Sequence, residues 1–194
     1  MSHETIIAAL NGLSKTRVYH ISPENQALHI TVESDRSAII LNGSTVEHFL
    51  TAKLEDKMPS LNSDERTKMF SPEGPLGTFA NKNRIAFGLG VMERAVSKKI
   101  DVIRAMRNAA AHCIKLVTFT TTEFRDGVQQ LADPKHRSQI AVFNSRQLRH
   151  FFSLVCIDIC QLIDHGEPLQ SDQERIDMVL SGLQQSASHD KPAE

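Results

Sequence analysis

The sequence predicts an all-α protein, a compact helical bundle of about six to seven helices forming one domain over residues 1–185, with a flexible tail over 186–194. Two observations point there. Apolar side chains recur at three- and four-residue spacing through most of the chain, the mark of helices with one buried stripe. Capping signals and short connections separate these stretches, which favours a bundle over a solenoid. With 194 residues, 40% hydrophobic and 23% charged, one Tyr and no Trp, the chain is long enough for a core built from Leu, Ile, Val, Ala and Phe.

Ser22-Pro23-Glu24 reads as a cap, a first-turn proline and a first-turn acid, opening a short helix to about Glu33. A hairpin pairing Val18–Ile21 with Leu28–Val32 is the competing reading, because both runs are rich in β-branched residues. After Ser34-Asp35 a longer helix places Ile39, Val46, Phe49, Leu50 and Leu54 on one stripe, with Gly43 tolerated inside it. Residues 57–78 read as a connection anchored by Phe70, and 71–78 lack the Gly-Lys-Ser/Thr ending of a phosphate-cradling loop.

A helix is expected from Thr78 through Phe79, Ile85, Phe87, Leu89 and Met92, with Gly88 and Gly90 marking a close approach or a bend. Ser97 is expected to cap the next helix, which carries Ile100, Ile103, Met106, Ala110 and Cys113 and ends near Leu116. Thr120-Thr-Thr-Glu123 fits a capping box for a helix over 121–132, closed by Asp133-Pro134. One long helix is expected over 138–165, stopped by Gly166 and Pro168. Ser171-Asp-Gln-Glu174 opens the last, with Ile176, Val179, Leu180 and Leu183 on one face.

A net charge of −1 excludes a generically basic nucleic-acid binder, but the charge is unevenly spread. Residues 82–115 hold eight basic side chains against two acidic ones, a local +6, between two acidic flanks. This band is either a solvated helix face or an anion and RNA-phosphate surface in which Lys98, Lys99 and Lys115 bind phosphate. His136, Arg137, Arg146, Arg149 and His150 are expected to form an ordinary solvated surface.

Three cysteines, Cys113, Cys156 and Cys160, make no even disulfide framework. Cys156 and Cys160 share a helix face, where two thiols without further ligands are core filler rather than a metal site. Met1–Leu13 carries acidic Glu4 and no basic residue before its short apolar stretch, unlike a secretion signal, and no run is long enough to span a membrane. A cytoplasmic protein is the expectation.

The stretch Asp101–His112 places two arginines, an amide and an imidazole on a helix otherwise made of small or apolar residues. At 100° per residue Arg104, Asn108 and His112 follow one another on one side, while Arg107 lies about 140° from His112. Arg107 therefore has to reach round, or act on a group held by a second copy of the chain. Ala109, Ala110 and Ala111 leave little bulk, so a partner helix could approach. A neutral imidazole can take the proton of a ribose 2′-hydroxyl, and a guanidinium can stabilise charge on phosphoryl oxygens, without any metal or cofactor. The competing reading is a hydrogen-bonded structural histidine and an Arg-Asn pair bridging helices.

Several segments in order carry a resemblance: Ser34-Asp-Arg-Ser-Ala-Ile-Ile40, Val46-Glu-His-Phe-Leu50, Gly74-Pro-Leu-Gly-Thr-Phe79, Ala86-Phe-Gly-Leu-Gly-Val91, Ile103–His112 and Phe119-Thr-Thr-Thr-Glu123. Over about residues 34–125 the chain resembles the mannitol operon repressor family. That resemblance implies an all-helical fold and transcriptional regulation through protein partners rather than through a DNA-binding motif of its own. Arg107-Asn108-Ala-Ala-Ala-His112 is also similar to the signature of the HEPN superfamily, whose active members are metal-independent endoribonucleases, often toxins or antiviral effectors, that pair two motifs across a dimer. This similarity implies that Arg107 and His112 are the catalytic pair, that Asn108 is the polar position between them, and that Glu47 supports them.

Two functions remain open at the level of sequence. One is RNA cleavage by a homodimer using Arg107, Asn108 and His112, with Glu47 and Arg104 supporting. The other is non-catalytic regulation through a protein partner or an operon-control complex; an antitoxin is the partner expected of a toxin.

Overall fold

The computed structural model describes residues 2–13, 26–115, 117–166 and 169–189. Among the described residues there are helices and no strands, as the periodicity predicts. The helices are α1 (His3–Leu13), α2 (Gln26–Asp56), α3 (Ser63–Phe70), α4 (Phe79–Gly88), α5 (Arg94–His112), α6 (Thr122–Leu131), α7 (Arg137–Ala141, entered by a 3₁₀ turn over Pro134–His136), α8 (Ser145–His165) and α9 (Asp172–His189). This is more than the expected six to seven helices.

α5 is the central element, packed by α1, α2, α4 and α6, while α8 packs against α2 and α6 and carries α9. Its position follows from composition, since Val96, Ile100, Val102, Ile103, Ala105, Met106, Ala109 and Ala110 are buried on several of its sides. Ala109 and Ala110 thus serve the protein's own core, and only Ala111 of the three alanines is exposed.

Leu28–Val32 are helical, which removes the hairpin, whereas Val18–Ile21 and the Ser22-Pro23-Glu24 start lie outside the described residues. There is no break at Ser34-Asp35. The chain runs through as one helix because Asp35 is fully buried and its carboxylate is satisfied by distant groups instead of capping locally. It accepts from the Phe119 N–H at 3.2 Å, the Ser145 hydroxyl at 2.6 Å and the Arg149 Nε at 2.8 Å. Arg149, expected to be a solvated surface charge, is the ionic partner of this buried acid.

α1 buries Ile6 and Leu10, an anchoring that the short apolar stretch alone did not announce. α3 falls inside the expected connection. Asn62 and Glu65 form its capping box, but no residue of α3 is fully buried, so its sequence lacks an apolar stripe. Phe70 at its end is partly buried against the core, as the anchor reading requires. α4 begins after Thr78 as expected, but it stops at Gly88. There the Gly90 N–H reaches the Phe87 carbonyl and the Val91 N–H the Ala86 carbonyl, with Gly90 at φ 70°, a left-handed helix stop.

α5 starts at Arg94 after Glu93, so Ser97 lies inside the helix rather than capping it, and the helix ends at His112 rather than near Leu116. Thr121 precedes α6, and Thr118 and Thr121 satisfy each other's backbone N–H groups, so the expected Thr120–Glu123 capping box does not form. The expected single helix over 138–165 is two. Asn144 and Gln147 form a capping box that restarts the chain as α8, and Arg125 donates to the carbonyls of Ala141 and Phe143 at the break. Apolar spacing conceals the break because Ile140, Phe143 and Leu148 are buried on both sides of it. Gly166, at φ 73°, closes α8 as expected.

The Ser171–Glu174 box forms as expected, with the Ser171 N–H on the Glu174 carboxylate at 2.7 Å and the Glu174 N–H on the Ser171 hydroxyl at 3.2 Å. Ile176 and Val179 are buried, but Leu180 is 45% exposed. α9 continues past 185 to His189, into the stretch assigned to a tail, and residues 190–194 lie outside the described residues. Among the described residues no helix is long and apolar enough to cross a membrane.

Candidate functional site

The side chains that could carry chemistry meet where α2, α4 and α5 converge. Glu47 projects from α2, and its carboxylate takes two cations. The Lys82 Nζ donates to Oε1 at 2.9 Å and the Arg107 Nη2 donates to Oε2 at 3.1 Å. Arg107 also donates from Nη1 to the side-chain oxygen of Asn108 at 3.0 Å, which fixes the plane of the guanidinium. Glu47, which the resemblance implied as a supporting residue, is thus the ionic partner of both Lys82 and Arg107. Lys82, only 8% exposed on α4, is a member that sequence reasoning read as part of the basic band.

The helices come close enough for this because of Gly43. A Cβ added there would lie 2.8 Å from the Arg107 Cβ and 3.0 Å from its Cγ, so the bare α-carbon is what lets α2 press against Arg107. Gly43→Ala is expected to cost about 1–2 kcal/mol net, overpacking outweighing the helix propensity gained. Denaturant titration checks this, and unchanged stability would show that the approach is loose.

A recess of about 300 Å³ opens here, bounded by residues 77–80 at the start of α4, Glu47, Arg104, Arg107 and Asn108. Arg104 lies one turn before Asn108 and makes a 3.4 Å contact from Nε to Asp101. His112 does not line this recess. It is the last residue of α5 and is exposed to solvent, one turn beyond Asn108. Arg107 and Asn108 thus work as a pair, while the imidazole stands at the rim of the same helix.

The basic band does not make one face. Lys82 is taken by Glu47, and the Arg94 guanidinium stacks 4.7 Å over the Phe87 ring. Lys98 is exposed in the first turns of α5, about 13 Å along the axis from Arg107. Lys99 is mostly buried. Desolvation pulls its pKa below the usual lysine value, partly offset by Asp172, Asp133 and Asp158 and reinforced by Arg175. Lys115 is exposed beyond the end of α5, with its carbonyl receiving Arg36.

Cys113, Cys156 and Cys160 are unpaired and buried. Burial pushes the Cys156 thiol well up, and burial together with Asp164 raises Cys160 to about 11, so these two thiols are poor nucleophiles at neutral pH. Among the described residues no group of three or more His, Cys, Asp or Glu side chains is gathered at a spacing that could hold a metal ion.

No protein-family model, no curated protein and no solved structure matches the chain.

Proposed function

We propose that this chain is a HEPN-like domain of the mannitol operon repressor type that cleaves cytoplasmic RNA without a metal, acting as a homodimer. The observation that carries the reading is the Glu47–Arg107–Asn108 set. An arginine with one face fixed by a carboxylate and an amide is pre-oriented, and a guanidinium has further donors left for phosphoryl oxygens.

In this reading His112 removes the proton from a ribose 2′-hydroxyl and the 2′-oxygen attacks the adjacent phosphorus. The 5′-oxygen leaves and takes a proton from water while the imidazolium returns its proton to solvent, giving a 2′,3′-cyclic phosphate and a 5′-hydroxyl. Arg107 stabilises the charge that builds on the phosphoryl oxygens, and Asn108 orients the guanidinium. Because His112 lies exposed at the end of α5 and does not line the recess that Arg107 lines, a second copy of the chain brings the two groups to one phosphate in this reading. A toxin or defence role, held in check by an antitoxin, follows from such an activity.

The test is incubation of the purified protein with single-stranded RNA in EDTA. Fragments ending in 2′,3′-cyclic phosphate are expected, and intact RNA at micromolar protein would overturn the reading.

A second reading has its own observation. Between α2 and α8 lies a mostly apolar groove of about 260 Å³ floored by Phe49, Cys156 and Cys160 and bordered by Ile157, which is 50% exposed. A non-catalytic regulator that acts through a protein partner would use such a surface. Partner binding that survives Arg107→Ala without any RNA cleavage by the wild type would favour it.

A further inference from the structure

We infer that the recess between α4 and α5 seats one phosphate of the RNA strand other than the one being cut, with Arg104 as its principal ligand. This rests on the RNA reading above and assigns a site that the basic band did not locate. Arg104, Arg107 and Asn108 line one concavity large enough for a phosphate and part of its sugar, and Arg104 stands between it and a second recess beside Asp101. Arg107 is engaged by Glu47 and Asn108 and keeps its remaining donors for the phosphate being cut, whereas among the described residues Arg104 bonds to a side chain through a long Nε contact. The terminal nitrogens of Arg104 are the donors best able to turn to an incoming oxyanion.

The opposite wall adds to this. Thr78 caps α4, with its hydroxyl accepting from the Asn81 N–H at 3.2 Å and its carbonyl accepting from the Lys82 N–H at 3.1 Å. The N–H groups of Phe79 and Ala80 come before the first intrahelical bond, and both residues border the recess. Lys82 offsets the charge of Glu47 on the recess floor, so the carboxylate there does not by itself repel an anion. Lys98 and Lys99, by contrast, lie at the far end of α5, and Lys99 is largely buried beside acids.

Amide NMR of the full chain tests the inference at constant ionic strength. Inorganic phosphate is titrated first, followed by a 2′-O-methyl hexaribonucleotide that cannot be cut by the proposed chemistry. Both ligands are expected to shift the Phe79 and Ala80 resonances saturably, with binding weakened at least about tenfold in Arg104→Gln and unchanged in Lys135→Gln, which removes an exposed positive charge outside the recess. Ala80→Asp guards against a folding artefact. An acid in the first turn suits the helix, so the fold should persist while the added carboxylate repels the ligand. Unmoved Phe79 and Ala80 amides, or full-strength binding by either recess variant, would overturn the site. Shifts with inorganic phosphate alone would overturn its assignment to RNA. Oligonucleotide binding at the recess without any RNA cleavage supports the site and counts only against the cleavage reading.

Discussion

Replacing His112 by alanine is expected to lower the rate of RNA cleavage by about 10²–10⁴-fold, the usual contribution of a positioned general acid or base. The fold should hardly notice, because His112 is an exposed terminal residue of α5 and contributes nothing to the core. Surface substitutions of this kind usually stay within about 0.5 kcal/mol. A melt superimposable on the wild type, together with lost cleavage, separates a chemical role from a structural one. An unchanged rate would remove the imidazole from the mechanism.

Replacing Arg175 by leucine is expected to destabilise the protein by about 3–5 kcal/mol, the typical result of removing one side of a buried ionic network. Arg175 is 1% exposed. Its Nε meets the Asp158 carboxylate at 2.6 Å and its Nη1 bonds to Asp172, both acids being buried as well. Asp172 also accepts the Asp133 N–H at 2.6 Å, so the same cluster ties α9 to α8 and to the turn after α6. Without the guanidinium, two carboxylates remain in the interior, countered mainly by the partly buried Lys99. Urea titration would register the loss, and a change below about 1 kcal/mol would mean that water reaches the cluster.

The fold class was legible because its signals are local. Capping at Thr78 and Ser171 and the stop at Gly166 involve residues three to four apart, and sequence alone reveals them, whereas the left-handed stop at Gly90 was read only as a bend or close approach in a longer helix. What escaped depends on remote partners. Asp35 reads as a helix boundary until its contacts with Phe119 and Arg149, 84 and 114 residues away, show it to be an interior anchor. α3 escaped for the opposite reason, having almost no apolar face to announce it. The α7–α8 break stayed hidden under apolar periodicity, although Asn144 and Gln147 carry the capping pattern in the sequence.

The candidate site was legible in part. Arg104, Asn108 and His112 were expected on one side of a helix, and α5 provides that order. The placement of Glu47 beside Arg107, 60 residues apart, came only from resemblance, since no spacing rule reaches that far. Lys82 and Gly43 went unrecognised because a lysine in a basic band and a glycine in a helix look ordinary until α4 and α2 are packed against Arg107.

The most direct measurement uses two oligonucleotides that differ at one sugar, ribose in one and 2′-deoxyribose in the other, at the position cut in single-stranded RNA. With EDTA present, the protein is predicted to cut the ribose strand to a 2′,3′-cyclic phosphate and to leave the deoxyribose strand whole at that position. Equal cutting of both strands, or of neither, would contradict an imidazole and a guanidinium acting through the 2′-hydroxyl.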